Sequence, residues 1–255
     1  MPTVSKFSGT LFFLTAVLTT SLAHAQHSAL DAFGTNAAPE QAPAPARTMA
    51  PPPQLSQPDA PGIAELRASF DLLSKGQVDE ALTQVNAAIQ LNPQNPDGYG
   101  MRGSIYTEKK QWDLATQDYQ KVLSMTPNDG PAKFNLAEIK FRQKQYDAAR
   151  AGFDALTKSE QLGDLSSYKV FLCDLYGGHA DVAAKELDVF NQAGGNASYY
   201  FANAANSLYN KKTEEGRDWL ISAVKIYSQN KVNLYAASLK ELGYLPLPPP
   251  PAPKD

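Results

Sequence analysis

Alanine recurs at positions 81, 115, 149 and 183, each step 34 residues, inside segments that otherwise differ. A small residue returning at that interval marks one supersecondary unit stacked on copies of itself. Such a chain cannot wrap around one central core. Each unit must bury its apolar face against its neighbours, which restricts the fold to an elongated stack.

The clearest copy runs from Pro96 to Asp129. Tyr99, Gly103 and Tyr106 stand at i, i+4 and i+7, and Ala115, Tyr119 and Val122 repeat that spacing. Each trio shares one face of a helix. Pro127 closes the second helix, because proline lacks an N–H and clashes with the preceding turn. Gly103 and Ala115 are the small members, and they let the two helices of a hairpin approach closely.

This arrangement resembles the tetratricopeptide repeat (TPR). That family places an aromatic, a small residue and a tyrosine on the first helix. It places an alanine, an aromatic and a second small residue on the other, and a proline closes the unit. The copy before carries Ser69, Leu72, Ala81, Val85, Ala88 and Pro93, with Glu65 at the first aromatic position. The copy after carries Leu136, Ala137, Ala149, Phe153 and Leu156, with Lys133 and Lys140 where aromatics are usual and no closing proline. The resemblance is specific from Ala64 to Lys158.

Beyond Lys158 the pattern fades. Tyr168, Leu172, Leu175, Ala183, Leu187 and Phe190 fit a fourth hairpin turning at Gly177-Gly178, with Ala183 or Ala184 as its small contact. Tyr200, Ala204, Leu208, Gly216, Leu220 and Ala223 fit a fifth after a one-residue slip in phase. A last amphipathic helix, ended by Gly243, is expected to cover the open apolar end. The resemblance implies an all-α, right-handed solenoid of about five hairpins plus a C-terminal capping helix. The units are 62–95, 96–129 and 130–163, then the degenerate 164–195 and 197–228, with the cap at 231–243. A non-repeating helical bundle is the alternative for the C-terminal half.

The resemblance also implies a site. In TPR solenoids the first helices line the concave side, and positions not used in packing face the groove. Here those are Arg67, Phe70 and Leu73, then Met101, Ser104 and Glu108, then Phe134, Asn135, Glu138, Phe141 and Arg142, with Tyr168, Leu172, Tyr176, Phe201 and Tyr209 beyond. Aromatics and arginine are the usual anchors of interfaces, so a partner's extended or helical segment is the expected ligand. Packing inside the stack is the alternative for Phe70 and Phe141. The carboxylate clamp of the chaperone-binding subclass does not fit: Asn135 is present, but Leu66, Phe70, Asp97 and Met101 occupy other clamp positions. Self-association is the competing role.

The first 25 residues read as a secretory signal. Lys6 starts it, Leu11 to Leu22 is its short apolar run, and Ala23-His24-Ala25 is a small-x-small cleavage site. That run is shorter than the ~20 residues needed to span a bilayer. Export to a periplasm or the cell exterior is expected, with an uncleaved anchor as the alternative and no transmembrane segment after cleavage. Residues 26–61, rich in alanine and proline, read as a disordered linker reaching roughly 110 Å at most. Residues 246–255 form a second proline-rich tail.

Chemistry finds little support in the sequence. The formal net charge of −3 gives no reason to expect nucleic acid. Cys173 is the only cysteine, and the three histidines fall in the signal, the linker and a turn. No metal-ligand pair and no Gly-x-Ser-x-Gly elbow occur, so no metal, cofactor or catalytic site is expected. Gly98-Tyr99-Gly100-Met101-Arg102-Gly103 matches a dinucleotide fingerprint, but that motif needs a preceding strand, and a helix ending at Asn92-Pro93 stands there instead.

Overall fold

The computed structural model describes residues 60–245. The expected signal, the linker up to residue 59 and the tail lie outside them. Eleven helices and no strand occur among the described residues. They pair as α1 (Ile63–Ser74) with α2 (Val78–Leu91), α3 (Pro96–Glu108) with α4 (Trp112–Met125), and α5 (Gly130–Arg142) with α6 (Tyr146–Asp154). Then α7 (Gly163–Gly177) pairs with α8 (Ala180–Ala193), and α9 (Ala197–Tyr209) with α10 (Thr213–Ile226). A single helix, α11 (Gln229–Glu241), follows. The dinucleotide-like glycines lie within α3 or at its start, on helix and not on a phosphate loop.

All five hairpins turn the same way. Gly76, Lys110, Lys144, Gly178 and Lys211 each have positive φ. The N–H of the next residue (Gln77, Gln111, Gln145, His179, Lys212) donates to the carbonyl five residues back at 2.8–2.9 Å. This is the Schellman closure, which satisfies helix-terminal carbonyls and requires one left-handed residue. The turn thus repeats as strictly as the alanines, and the step shortens by one residue only before Lys211. Asn95, Asp129 and Asn196 cap α3, α5 and α9 by accepting backbone N–H bonds.

The small residues lie at the hairpin contacts. Ala81, Ala115, Ala149 and Ala183 are fully buried. A Cβ on Gly103 would meet the Tyr119 ring at 3.0 Å, and one on Gly216 would meet Leu208 at 2.7 Å. Tyr119 and Phe153 are buried, Tyr99 and Tyr106 half-buried, and Pro127 exposed. Arg102 on α3 holds Asp118 on α4 of its own hairpin through two bonds of 2.7 and 2.8 Å and bridges to the preceding unit at Asn86 on α2 at 2.9 Å.

Two features depart from expectation. The second helix of the third hairpin stops at Asp154, and residues 155–162 run as turns before α7. The larger departure is α11. A capping helix would cover the outer end of the last hairpin, yet α11 packs chiefly on first helices. Tyr235 stacks 5.3 Å from Phe201 on α9 and 5.4 Å from Tyr168 on α7, and Glu241 reaches Arg142 on α5. First helices form the inner side of the stack, since α3 with α5 and α7 with α9 approach each other more closely than any two second helices of neighbouring hairpins do. α11 therefore lies along the inner face of three hairpins. Ile221, Val224 and Ile226 on α10 remain exposed.

Candidate functional site

The inner face divides into two stretches. Toward the N-terminus Arg67 is exposed, and Phe70, Ser104 and Asn135 are half-buried. The Ser104 hydroxyl bonds with the Tyr119 hydroxyl at 2.9 Å, tying that position to the packing core. Toward the C-terminus, α11 covers the face.

Of the positions expected to be open, Leu73, Met101, Phe134, Glu138, Phe141 and Tyr168 are buried. They are covered by the preceding hairpin, by the second helix of their own hairpin, or by α11. Met101 joins Leu66, Leu73, Val85 and Ile105 between the first two hairpins. Phe134 packs 4.9 Å from Phe153, and Phe141 meets Tyr146 edge-on at 5.5 Å. Tyr168 lies beneath Tyr235. Leu172 and Phe201 are likewise buried, whereas Tyr209 stays exposed.

At the centre sits an ionic cluster. The Lys169 ammonium donates to Glu138 at 2.9 Å, with its second carboxylate oxygen at 2.7 Å, and the two side chains are only 4% and 9% exposed. The same ammonium lies 4.7 Å from the Phe141 ring centroid. Arg142 reaches Glu108 at 3.1 Å, Glu138 at 3.7 Å and Glu241 at 2.5 Å. Two cations thus serve three carboxylates. Burial acts to raise the Glu138 carboxyl, but Lys169 and Arg142 outweigh it and hold it below the usual range. Burial and the neighbouring Glu138 push Glu241 up to about 7 against the pull of Lys169 and Arg142.

α11 fits this face through Val232, Tyr235 and Leu239, all buried at i, i+3 and i+7. The Tyr235 hydroxyl donates to Asp164, which also accepts from Ser198 at 2.5 Å. The fit is incomplete. The Tyr168 and Ser238 hydroxyls are buried without a hydrogen-bond partner among the described residues, a cost of about 1–3 kcal/mol each.

Lys169, Asp164, Tyr235 and Glu241 are not among the candidates from sequence. Lys169 carries a signal there all the same. It stands alone as a charge in Tyr168-Lys169-Val170-Phe171-Leu172-Cys173, and a lysine inside an apolar run calls for a buried carboxylate. Burial pushes the Cys173 thiol up to about 12, which leaves it inert. No cluster of metal-ligating side chains occurs among the described residues, and none of their helices is long and apolar enough to cross a membrane.

A tetratricopeptide repeat family model matches residues 106–168. Among curated proteins, the chain is similar to the tetratricopeptide repeat and J domain-containing co-chaperone DNJ1 of Fusarium oxysporum f. sp. lycopersici. The two are 33% identical over 87 residues, which is 34% of this chain and 17% of that protein. It is also 36% identical over 58 residues to tetratricopeptide repeat protein 16 of Homo sapiens, covering 23% of this chain and 7% of the other. The chain thus matches less than a fifth of the length of either relative. Among solved structures, the thermophilic TPR protein TTC0263 of Thermus thermophilus shares the fold with a TM-score of 0.54. Identity is 17%, covering 70% of this chain and 99% of that one. The type IV pilus biogenesis factor PilW superposes with a TM-score of 0.53 at 16% identity, over 72% and 87% of the two chains.

Proposed function

Because this chain is a tetratricopeptide-repeat protein, we propose that it is a non-catalytic scaffold holding a segment of a partner protein on its inner face. The observation that carries this reading is α11 itself. A face that accepts an amphipathic helix from its own chain has the shape and chemistry to accept one from another. The stretch formed by α1, α3 and α5 supports it further, because Arg67, Phe70 and Asn135 remain accessible there. The repeat segment shared with a protein named as a J-domain co-chaperone also supports a protein-holding role. The setting we propose is the cell envelope, on the strength of the signal-like residues 1–25.

The test is in-cell cross-linking of the full chain beside an Arg67→Ala/Phe70→Ala/Asn135→Ala variant that retains its helicity. Partners lost only with the variant are the expected result. An unchanged partner set would sink binding along the open stretch of α1, α3 and α5.

One observation favours a second reading, a self-associating structural component. With α11 turned inward, Ile221, Val224 and Ile226 lie 44%, 54% and 55% exposed on the last second helix. Light scattering across concentration decides: a strict monomer excludes it.

A further inference from the structure

The inner face carries its own description of what it binds. Ten helices close five hairpins, each with a small contact and a Schellman turn, before α11 begins. α11 adds no hairpin. It joins α10 through Tyr227 and Ser228 alone, and Ser228 makes no side-chain cap. Its near end is held by the Tyr227 hydroxyl donating to the Gly195 carbonyl at 2.5 Å. Its far end is held by Arg142, a residue shared among three carboxylates. Beneath it the Tyr168 hydroxyl is fully buried and unmatched. The occupant therefore fits in shape and charge while leaving polar groups unanswered.

We infer that α11 is a displaceable stand-in for the partner, and that the partner is an amphipathic helix bearing the same pattern. That pattern is aliphatic, aromatic with a hydroxyl or N–H, and aliphatic at i, i+3 and i+7, followed by a carboxylate, as in Val232, Tyr235, Leu239 and Glu241. The aromatic position meets Tyr168 and Phe201, its polar tip meets Asp164, the aliphatic positions join the same buried cluster, and the carboxylate meets Arg142. A better occupant would also bond the Tyr168 hydroxyl. This rests on the scaffold reading and adds to it a partner class and a built-in competitor. Competition lowers apparent affinity by the fraction of time the face is closed.

The test uses a labelled peptide of residues 227–245 added to the full chain and to its Tyr235→Ala/Leu239→Ala variant. The variant should bind the peptide at least ten-fold more tightly than the parent, and Glu241→Lys in the peptide should remove most of that gain. Equal or absent binding to a variant that keeps its circular dichroism would overturn the proposal. If the variant loses helicity, hydrogen exchange on the parent decides. Amides of 229–241 exchanging at least ten-fold faster than those of α7 and α9 support displacement, and exchange at one common rate refutes it. A concentration-dependent dimer with α11 exchanged between copies would overturn the commitment to a foreign helix. Failure here with cross-linked partners still lost at Arg67, Phe70 and Asn135 leaves the scaffold reading standing. Peptide binding without any such partner would sink the scaffold reading and the foreign helix with it, leaving only a displaceable α11.

Discussion

The Arg142 guanidinium stands 2.5 Å from the Glu241 carboxylate, so the third hairpin holds the last turn of a helix that begins beyond the fifth. Glu138 and Lys169 complete the contact, and Glu108 faces the same guanidinium. The strength of this latch depends on which carboxylates are ionised.

Glu241 is raised from 4.5 to about 7 in the folded state. A raised carboxyl contributes stability that is fully present below its unfolded value and is lost as pH rises through the folded one. Glu138 is lowered, so its contribution is present above 4.5 and lost on acidification. The terminal helix should therefore dock most tightly near pH 4.5 and loosen by roughly 1–2 kcal/mol as pH rises to about 7, after allowance for solvent screening. Hydrogen exchange of residues 229–241, corrected for intrinsic rate, measures this. Glu241→Gln should flatten this decline, and a variant that still loosens between about pH 4.5 and 7 would refute the assignment.

Lys169→Ala should be among the most damaging single changes. It strands the Glu138 carboxylate, whose side chain is 9% exposed, and breaking such a pair costs about 3 kcal/mol or more. The double variant Lys169→Met/Glu138→Leu should recover most of the loss. Urea denaturation of the two variants checks the sign of the coupling.

Three turns carry lysine where two carry glycine. Lys110, Lys144 and Lys211 have φ of 56°, 60° and 61°, a region that disfavours L side chains by about 1–2 kcal/mol. Each Lys→Gly change should stabilise the chain by about 0.5–1 kcal/mol, since glycine returns part of the gain through its freer unfolded state. Gly178→Ala should do the reverse. No atom lies within 4 Å of its added Cβ, so only the backbone objects. Thermal denaturation separates the two directions.

Two glycines in α3 should answer alanine with opposite signs. A Cβ at position 103 meets the buried Tyr119 ring at 3.0 Å, whereas one at position 100 meets only Val122 at 3.9 Å. Gly103→Ala is expected to cost about 1–3 kcal/mol by overpacking. Gly100→Ala should gain about 0.5–1 kcal/mol from helix propensity. Melting curves of the pair make an internally controlled test.

The stack was legible because its signals are local. A buried alanine every 34 residues, Tyr119 and Phe153 at fixed offsets, and the Gly177-Gly178 turn all act within one hairpin. The site was harder to read because its contacts are not local. Tyr235 and Asp164 lie 71 residues apart, and nothing in a 3.6-residue period states which apolar stripe will meet which. The sequence pattern marks α11 as amphipathic, but an end cap and an inner-face occupant need the same stripe. Met101, Phe134 and Phe141 misled for a related reason. Groove positions and inter-hairpin packing positions are neighbours on one helix, and only the closeness of the stack decides between them.

A chain of hairpins that touch only their neighbours can assemble in order as it leaves the ribosome. The first two hairpins here meet that condition, with a cluster of their own around Leu66, Val85 and Ile105. The last three do not, because Val232, Tyr235 and Leu239 belong to the same cluster as Phe134, Tyr168 and Phe201. Those hairpins must wait for α11 before their inner face can close. Synthesis should thus leave an early, settled part and a later part that stays open until α11 arrives.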